Sequence, residues 1–249
     1  MKPLPFRVKI CGVTTSEDAA AAIAAGATAI GLNFFKASKR HIDPLEAQNI
    51  ARVDSRELAV IGVFVNHTVS EIASIVTHVE PNWIQLHGDE PARVIKHVKE
   101  AIDLPVIRAL RWGEGGGAAI DEYLQACAEI GCLPDAVLID AHKAGEYGGT
   151  GITADWEAIA LWRAEKKFDI PLVLAGGLTP ENVAEAITIV RPDAVDTASG
   201  VESHVAASLR DANPSLGETR LRVGAPGKDH AKVRAFVEAA TAAFAAIGR

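Results

Sequence analysis

A cysteine and an aspartate each end a short apolar run, and together they could perform acid–base chemistry on a small molecule. Cys11 ends the run "FRVKIC" at residues 6–11, and Asp140 ends the run "DAVLID" at residues 135–140. A thiolate can remove a proton from carbon while a carboxylic acid protonates a leaving oxygen on the other side of the substrate. We therefore predict that Cys11 and Asp140 are the catalytic residues.

Lys9 stands two residues before Cys11, and side chains two residues apart in a strand point the same way. A free thiol has a pKa of about 8.5, so it needs positive charge nearby to act as a base near neutrality. We predict that Lys9 supplies this charge. Composition alone would instead make Cys11 a core residue, because free cysteine is among the most buried residue types.

Eight apolar runs alternate with eight helical patterns along the chain. The runs cover residues 6–11, 28–34, 58–65, 82–87, 105–110, 135–140, 171–176 and 193–199, and the helical patterns cover residues 16–25, 44–53, 69–79, 90–101, 117–130, 155–166, 180–190 and 229–246. This alternation predicts a parallel sheet covered by helices. Eight units indicate one closed (β/α)8 barrel domain spanning residues 1–249. An open doubly wound sheet is the alternative, but it usually has fewer units and a glycine-rich first turn, which "CGVTTS" is not.

Local signals place several helix starts and one irregular segment. Thr15 or Ser16 is a predicted N-cap, and Thr179 followed by Pro180 predicts that the seventh helix begins at Pro180. Residues 203–228 form a long excursion between the eighth strand and the last helix, unusual inside a compact domain. We expect a short helix near residues 204–210 within it.

In a (β/α)8 barrel the active site lies at the carboxyl ends of the strands. The residues predicted at these ends are Cys11, Asn33, Asn66, His87, Arg108, Asp140, Gly176, Gly177 and residues 196–200. Most of these side chains are polar or reactive. We accordingly predict that His87 and Arg108 contact the substrate.

Glycine-rich loops after the seventh and eighth strands predict a phosphate site. Gly176 and Gly177 follow the seventh strand, while Ser199 and Gly200 follow the eighth. Glycines let the backbone approach an anion closely, and these two loops form the recurrent phosphate site of the barrel. The alternative is that these glycines only make tight turns.

A third glycine-rich loop, "EYGGTGITADW" at residues 146–156, follows the sixth strand. Its length suits a lid that closes over a ligand. Gly148, Gly149 and Gly151 would give it mobility or backbone donors, and we predict that Gly149 and Gly151 contact the substrate. A plain connecting loop is the alternative.

Composition and charge exclude several functional classes. The 249-residue chain has a net charge of −7 and 5% aromatic residues, so it lacks the basic surface that nucleic acids require. No run approaches the roughly 20 apolar residues of a membrane span, and the N-terminus does not read as a signal peptide. Three cysteines without a CxxC pair argue against disulfides and a zinc site. We expect a cytoplasmic protein without metal, membrane or nucleic-acid partners.

Several motifs together resemble the phosphoribosylanthranilate isomerase family of tryptophan biosynthesis, from residue 7 to about 203 and again from residue 228. They are "KICG" (9–12), "SKRHI" (38–42), "IGVFVN" (61–66), "IQLHGDE" (84–90), "LIDA" with "GGTG" and "DW" (138–156), "AGGLTPENV" (175–183), "DTASGVES" (196–203) and "KDHAKVRAFV" (228–237). The combination is specific, although no single motif would be.

The resemblance implies a (β/α)8 barrel that catalyses a reversible Amadori rearrangement without cofactor or metal. The substrate would be N-(5′-phosphoribosyl)anthranilate, and the reaction is the third step of the tryptophan branch from chorismate. By resemblance the general base falls on Cys11 and the general acid on Asp140. Arg40 would face the carboxylate of the anthranilate ring, and the aspartate of the strand-eight motif falls on Asp196. We predict that Lys9 and Asp196 also contact the substrate. We expect a phosphorylated small-molecule substrate and a monomer or homodimer.

Two features depart from the usual pattern of the family. Strand eight reads "DTASG" where the family more often has "DVSSG" or "DVNSG", and the 203–228 excursion is longer than usual. Ser199 and Gly200 are retained despite the first departure. The second leaves open how the phosphate loop is closed on that side.

Other activities use the same barrel and phosphate site. The histidine-pathway isomerase is expected to use two aspartates, indole-glycerol-phosphate synthase a lysine–glutamate set, and ribulose-phosphate epimerase a metal. Cys11 at the end of strand one and the incomplete ligand set around His87 and Asp89 argue against them. A phosphate-ligand sensor would keep the glycine loops without the acid–base pair, and fold alone does not decide between these functions.

Overall fold

The computed structural model describes residues 3–52, 58–141, 155–165, 167–203 and 226–249. Within these ranges, eight parallel strands pair in sequence order and close into a barrel, with β8 beside β1. The strands are β1 Val8–Cys11, β2 Ala29–Asn33, β3 Ala59–Phe64, β4 Trp83–Leu86, β5 Val106–Arg111, β6 Ala136–Asp140, β7 Leu172–Ala175 and β8 Ala194–Thr197. The predicted (β/α)8 architecture is confirmed.

Helices alternate with the strands and cover the outside of the barrel. They are α1 Ser16–Ala25, α2 Pro44–Ala51, α3 Val69–Val79, α4 Ala92–Ala101, α5 Gly116–Glu129, α6 Trp156–Glu165, α7 Val183–Val190 and α8 His230–Ala246, with a 3-10 turn at Ser199–Val201. Thr15 is the N-cap of α1, and Thr68 forms a reciprocal capping box with Glu71 at α3. In the described parts of the chain, none of the helices has the length and apolar character that a membrane span requires.

The start of α7 differs from the prediction. Pro180 lies in a turn, and the helix begins three residues later, at Val183. The Asn182 side chain causes the delay, because it accepts the Thr179 N–H at 2.8 Å and donates to the Gly177 carbonyl at 3.0 Å. These bonds fold the "TPEN" segment back onto the glycine loop after β7.

The sheet separates two apolar clusters. The larger cluster lies between the strands and the helices, and the smaller one fills the barrel interior with residues such as Ile61, Ile107, Leu138 and Val173. Phe6 packs edge-on against Trp83 in the smaller cluster, with ring centroids 5.7 Å apart. Side chains alternate between the two faces along each strand, so residues two positions beyond the inner apolar ones also face the interior.

The ends of the 203–228 excursion lie beside each other. Ser203 donates its backbone N–H to the Gly227 carbonyl at 3.1 Å, and Glu202 and Lys228 form an antiparallel bridge. The backbone N–H of Asp229 then bonds the Val201 carbonyl at 2.9 Å and leads into α8. The chain therefore returns to the point it left, and the predicted helix at 204–210 lies outside the described residues.

Glu90 anchors the loop between β4 and α4. Its buried carboxylate accepts the backbone N–H groups of Asn66 at 2.7 Å and Gly88 at 2.8 Å, and the Arg108 Nη1 at 2.7 Å. Arg108 also donates to the Gly88 carbonyl at 2.9 Å, and its guanidinium lies 5.0 Å from the ring centroid of Tyr123. This network fixes the loop that begins at His87.

We expect Glu90→Gln to lower the free energy of unfolding by about 3 kcal/mol, because it leaves the buried Arg108 guanidinium without its counter-charge. Urea unfolding followed by circular dichroism measures this difference. The matched control is Glu100→Gln on the exposed face of α4, which should change stability by less than about 0.5 kcal/mol. Equal stability of the two variants would contradict the assigned role of Glu90.

Candidate active site

The carboxyl ends of the strands carry a polar layer above the inner apolar cluster. Lys9 and Cys11 come from β1, while Asp140 and Asp196 each stand two residues beyond an inner apolar residue of β6 or β8. Lys9 is in register with Asp196 on one side and with Ala29 on the other. The strand alternation therefore brings together the predicted base, its predicted cation and the strand-eight aspartate.

Lys9 forms a buried ion pair with Asp196. Its Nζ donates to Asp196 Oδ1 at 3.0 Å, and the lysine side chain has no exposed surface. Burial alone lowers the pKa of Lys9, but the Asp196 carboxylate and then the Cys11 side chain outweigh it, so the pKa of Lys9 is raised. Lys9 is therefore a permanent cation beside Cys11 near neutral pH.

Gly31 leaves room for this pair of side chains. It is the register partner of Cys11 on β2, and a Cβ at Gly31 would lie 2.8 Å from Cys11 Sγ and 3.1 Å from Lys9 Nζ. A methyl group there would displace the thiol or the ammonium. The sequence analysis did not identify Gly31, because an isolated glycine in an apolar run carries no sign of its neighbours.

Asp140 lies beside His87 at the mouth of the barrel. The His87 Nε2 is 3.9 Å from Asp140 Oδ2. The His87 side chain is 29% exposed and the Asp140 side chain is 28% exposed. On its other side, His87 Nδ1 hydrogen-bonds the amide of the buried Gln85 at 2.7 Å. Gln85 thus orients an imidazole next to a carboxyl group that solvent or a ligand can reach.

Arg40 comes from the loop between β2 and α2 and lies against β1. Gly12 has φ +71°, and a Cβ built on it would collide with Cδ of Arg40. The place of Gly12 next to Cys11 suggests room for substrate beside the thiol, but the structure fills the space over Gly12 with the arginine stem. The guanidinium of Arg40 is therefore held one residue beyond Cys11.

A buried acidic residue and a buried lysine complete this side of the mouth. Arg40 Nε hydrogen-bonds Glu202 Oε1, Arg40 Nη2 donates to Glu202 Oε2 at 3.0 Å, and Lys228 Nζ is 3.3 Å from Glu202 Oε1. Burial raises the pKa of Glu202, but Arg40 and Lys228 outweigh it and lower the pKa below its ordinary value. The sequence analysis assigned no role to Glu202 or Lys228, although both belong to motifs that it quoted.

Burial has a different net effect on Lys228. It lowers the pKa of this lysine, and the attraction of Glu202 and Cys11 offsets only part of that effect. The ammonium also donates to the Ala198 carbonyl at 3.1 Å. Lys228 thus links the strand-eight turn to the start of α8 and adds a second lysine near the thiol.

The glycine loops after β7 and β8 lie together. Gly176 has φ +93° and Gly177 has φ +68°, and nothing lies within 4 Å of a Cβ built at Gly177. Gly200 packs directly against the Leu178 carbonyl, to which Thr197 Oγ1 also donates at 2.7 Å. Ser199 begins the 3-10 turn between these loops. In the described residues, no backbone carbonyl accepts the N–H group of Gly177.

Arg108 does not lie where the sequence analysis expected it. The strand β5 continues to Arg111, so Arg108 is in its middle, and it bonds Glu90 on the face opposite Ile107 and Ala109. The cation that ends β5 is Arg111, which is exposed and in register with Asp140. Gly148, Gly149 and Gly151 lie outside the described residues.

The arrangement suits proton transfer to and from an anionic ligand. A thiol next to a buried ammonium stands on one side of the mouth, and a partly exposed carboxyl group next to an imidazole stands on another. The glycine loops after β7 and β8 and the Arg40 guanidinium flank these two pairs of groups. In the described ranges, no cluster of three or more histidine, cysteine, aspartate or glutamate side chains could hold a metal ion.

This chain is similar in sequence and in fold to known proteins. Residues 8–210 match the family described as N-(5′-phosphoribosyl)anthranilate (PRA) isomerase. A curated relative of that name from Neisseria meningitidis serogroup C is 39% identical over 237 residues, covering 94% of this chain and 96% of the relative. The crystal structure of phosphoribosyl anthranilate isomerase from Thermotoga maritima superposes with a TM-score of 0.73 at 34% identity, covering 95% and 99% of the two chains.

One further solved structure carries a ligand. It is a phosphoribosyl anthranilate isomerase in complex with reduced 1-(o-carboxyphenylamino)-1-deoxyribulose 5-phosphate, with a TM-score of 0.71, 32% identity and coverage of 95% and 99%. The family match extends over most of the sequence, and the fold similarity extends over nearly all of it. This chain belongs to the N-(5′-phosphoribosyl)anthranilate isomerase family.

Proposed function

We propose that this chain converts N-(5′-phosphoribosyl)anthranilate to 1-(o-carboxyphenylamino)-1-deoxyribulose 5-phosphate, a step of tryptophan biosynthesis. Family membership supports the reaction, and it separates this chain from the other barrel enzymes and from a phosphate sensor. The observation that carries the chemistry is the buried Lys9 ammonium, 3.0 Å from Asp196 and adjacent to the Cys11 thiol. It gives the general base a fixed counter-charge.

The first step is the opening of the furanose ring, with Asp140 as general acid. The lone pair on the anthranilate nitrogen forms a double bond to C1′ as the bond from C1′ to the ring oxygen breaks. The ring oxygen takes the electron pair of that bond together with the proton of Asp140. The product is a protonated Schiff base, and His87 at 3.9 Å is placed to support the carboxylate left behind.

The second step removes the C2′ proton, with Cys11 as general base. The electrons of the C2′–H bond form a double bond between C1′ and C2′, and those of the iminium bond return to nitrogen. The resulting enolamine then tautomerises to the ketone. Lys9 stays charged throughout, so it stabilises the thiolate before the proton is transferred.

The remaining groups bind the two ends of the substrate. Arg40 offers a forked grip to the planar anthranilate carboxylate. The backbone of Gly176, Gly177, Ser199 and Gly200 would receive the phosphate, and the open space at Gly177 supports this role. Asp196 and His87 stay in the proposed set of substrate contacts. Gly149 and Gly151 stay predictions for the loop after β6.

Arg108 receives a different role in this proposal. Its bonds to Glu90 and to the Gly88 carbonyl support a positioning function for the loop that carries His87. It acts through that loop without touching the substrate.

We also propose that residues 1–249 form one barrel domain, that the protein acts in the cytoplasm, and that it is a monomer or homodimer. The packing of Val233, Phe236 and Phe244 of α8 into the outer cluster supports the first point. The three free cysteines suit a reducing compartment. For assembly, one solved structure is of monomers generated from the dimeric isomerase of Thermotoga maritima.

Cys11→Ala and Asp140→Asn should each lower kcat by about a thousandfold, because each removes one proton-transfer group. The assay follows the disappearance of the fluorescent substrate. Both variants should keep the dissociation constant of the reduced product analogue within about fivefold, an estimate that assumes intact phosphate and carboxylate contacts. Cys132→Ala and Asp103→Asn are the matched controls and should retain activity. Near wild-type kcat in Cys11→Ala would show that the mechanism is wrong.

Arg40→Ala should mainly raise KM, by roughly 10- to 100-fold, because it removes a bidentate contact to a carboxylate. Steady-state kinetics with phosphoribosylanthranilate measures the change. Lys36→Ala in the same loop is the control. An unchanged KM in Arg40→Ala would remove Arg40 from the site.

Gly31→Ala should lower kcat by roughly 10- to 100-fold with little change in KM, because the added methyl displaces the thiol or the ammonium and not the binding groups. Gly113→Ala is the control, since nothing lies within 4 Å of a Cβ at that glycine. A normal kcat in Gly31→Ala would mean that the position of Cys11 Sγ relative to Lys9 does not limit the reaction.

A further inference from the structure

Glu202 occupies one edge of the Arg40 guanidinium and leaves another edge unused. Its two carboxylate oxygens take Nε and Nη2, with the second contact at 3.0 Å. A guanidinium has five N–H donors, and a second carboxylate can bind side by side to Nη1 and Nη2. In the described part of the chain, no acceptor for Arg40 Nη1 is found, and 21% of the arginine side chain stays exposed.

Glu202 is itself fixed from two directions. Its side chain is 4% exposed, Lys228 Nζ lies 3.3 Å from Oε1, and the exposed Lys39 lies 3.5 Å from Oε2. The buried Lys228 has no exposed side-chain surface. The carboxylate cannot rotate away without leaving the buried Lys228 ammonium without its counter-charge, which is strongly unfavourable.

The stem of Arg40 is fixed as well. Gly12 lies under its aliphatic carbons, so the side chain rests on the strand end that carries Cys11. With its stem packed and one guanidinium edge bound, Arg40 has little freedom left. Its second edge is therefore presented in a single orientation, which favours a planar anion over a point charge or a neutral ring.

The charges of this cluster leave room for an incoming anion. The single Glu202 carboxylate faces three cations, Arg40, Lys228 and the exposed Lys39, so the cluster carries excess positive charge. A substrate carboxylate on the free edge of Arg40 would offset part of that charge. Glu202 therefore need not be displaced when the carboxylate binds.

We propose that Glu202 is a positioning residue that holds Arg40 by its Nε–Nη2 edge, so that the Nη1–Nη2 edge selects substrates with a carboxylate on the aromatic ring. This inference rests on the proposed function. It assigns selectivity for the ortho-carboxylate to Arg40, in the loop after β2, and Glu202, in the turn after β8. Lys228 supports the pair through its own contact with Glu202 Oε1 at 3.3 Å.

The test compares two ligands that differ only in that carboxylate. They are reduced 1-(o-carboxyphenylamino)-1-deoxyribulose 5-phosphate and the same compound with an unsubstituted phenyl ring. Calorimetry measures both dissociation constants for wild type, Glu202→Gln, Arg40→Ala and the double variant. Glu185→Gln on the exposed face of α7 is the matched control, and turnover of phosphoribosylanthranilate is measured on wild type.

We expect Glu202→Gln to weaken the carboxylate ligand by about 30-fold, as for loss of one well-oriented charge-assisted contact, and the phenyl ligand by less than about twofold. In the Arg40→Ala background, Glu202→Gln should have no further effect, because the residue it positions is gone. Glu202→Asp keeps the charge and should recover part of the selectivity. It also serves as the readout should Glu202→Gln not fold.

Equal weakening of both ligands, or no weakening of either, would overturn the inference. So would additive effects in the double variant. If the variants give these contradicting results while the wild type turns over phosphoribosylanthranilate, the inference about Glu202 fails and the proposed function stands. A wild-type protein that neither turns over the substrate nor binds either ligand would overturn the proposed function instead.

Discussion

The site depends on one buried ammonium group. Lys9 has no exposed surface, and a charge in that position is tolerated only because Asp196 lies across the β1–β8 register and Cys11 lies two residues along the same strand. The closed barrel enforces this arrangement, since β8 can pair with β1 only when all eight strands are in place. The same interior that makes an unpaired charge costly also strengthens the attraction between Lys9 and Asp196.

The second ionic cluster repeats this arrangement at the rim. Glu202 lies between Arg40 and Lys228, so the loop after β2, the turn after β8 and the start of α8 are joined by one carboxylate. Glu202 and Lys228 also flank the long excursion, so their ion pair holds the two ends of the excursion beside the site. These three segments are thus tied together on the side where the carboxylate of the substrate is proposed to bind.

Much of the fold could be predicted from the sequence, because β-branched runs, capping residues and helical periodicity are local signals. All eight strands and helices were predicted, and Cys11 and Asp140 do end β1 and β6. Lys9 was predicted from its two-residue spacing to Cys11, and the catalytic roles of these residues stay predictions. Arg108 was misplaced for a physical reason. The run "PVIRAL" is apolar on both faces, as a strand in a parallel barrel must be, so the sequence does not show which face the arginine takes.

The features that sequence reasoning missed are contacts between distant parts of the chain. Pro180 suggested a helix start, but the Asn182 side chain ties the segment into a turn first. The pairing of Glu202 with Lys228 and Arg40 joins three separate segments, and no spacing rule predicts it. Gly31 became meaningful only when the register placed it opposite Cys11.

The most direct measurement is the primary deuterium isotope effect of Lys9→Met, with substrate deuterated at C2′. If the Lys9 ammonium holds Cys11 ready for proton removal, kcat should fall by about a hundredfold. Proton removal should then become the slowest step, so the isotope effect on kcat should exceed that of the wild type. A Lys9→Met variant with unchanged kcat and an unchanged isotope effect would contradict the account.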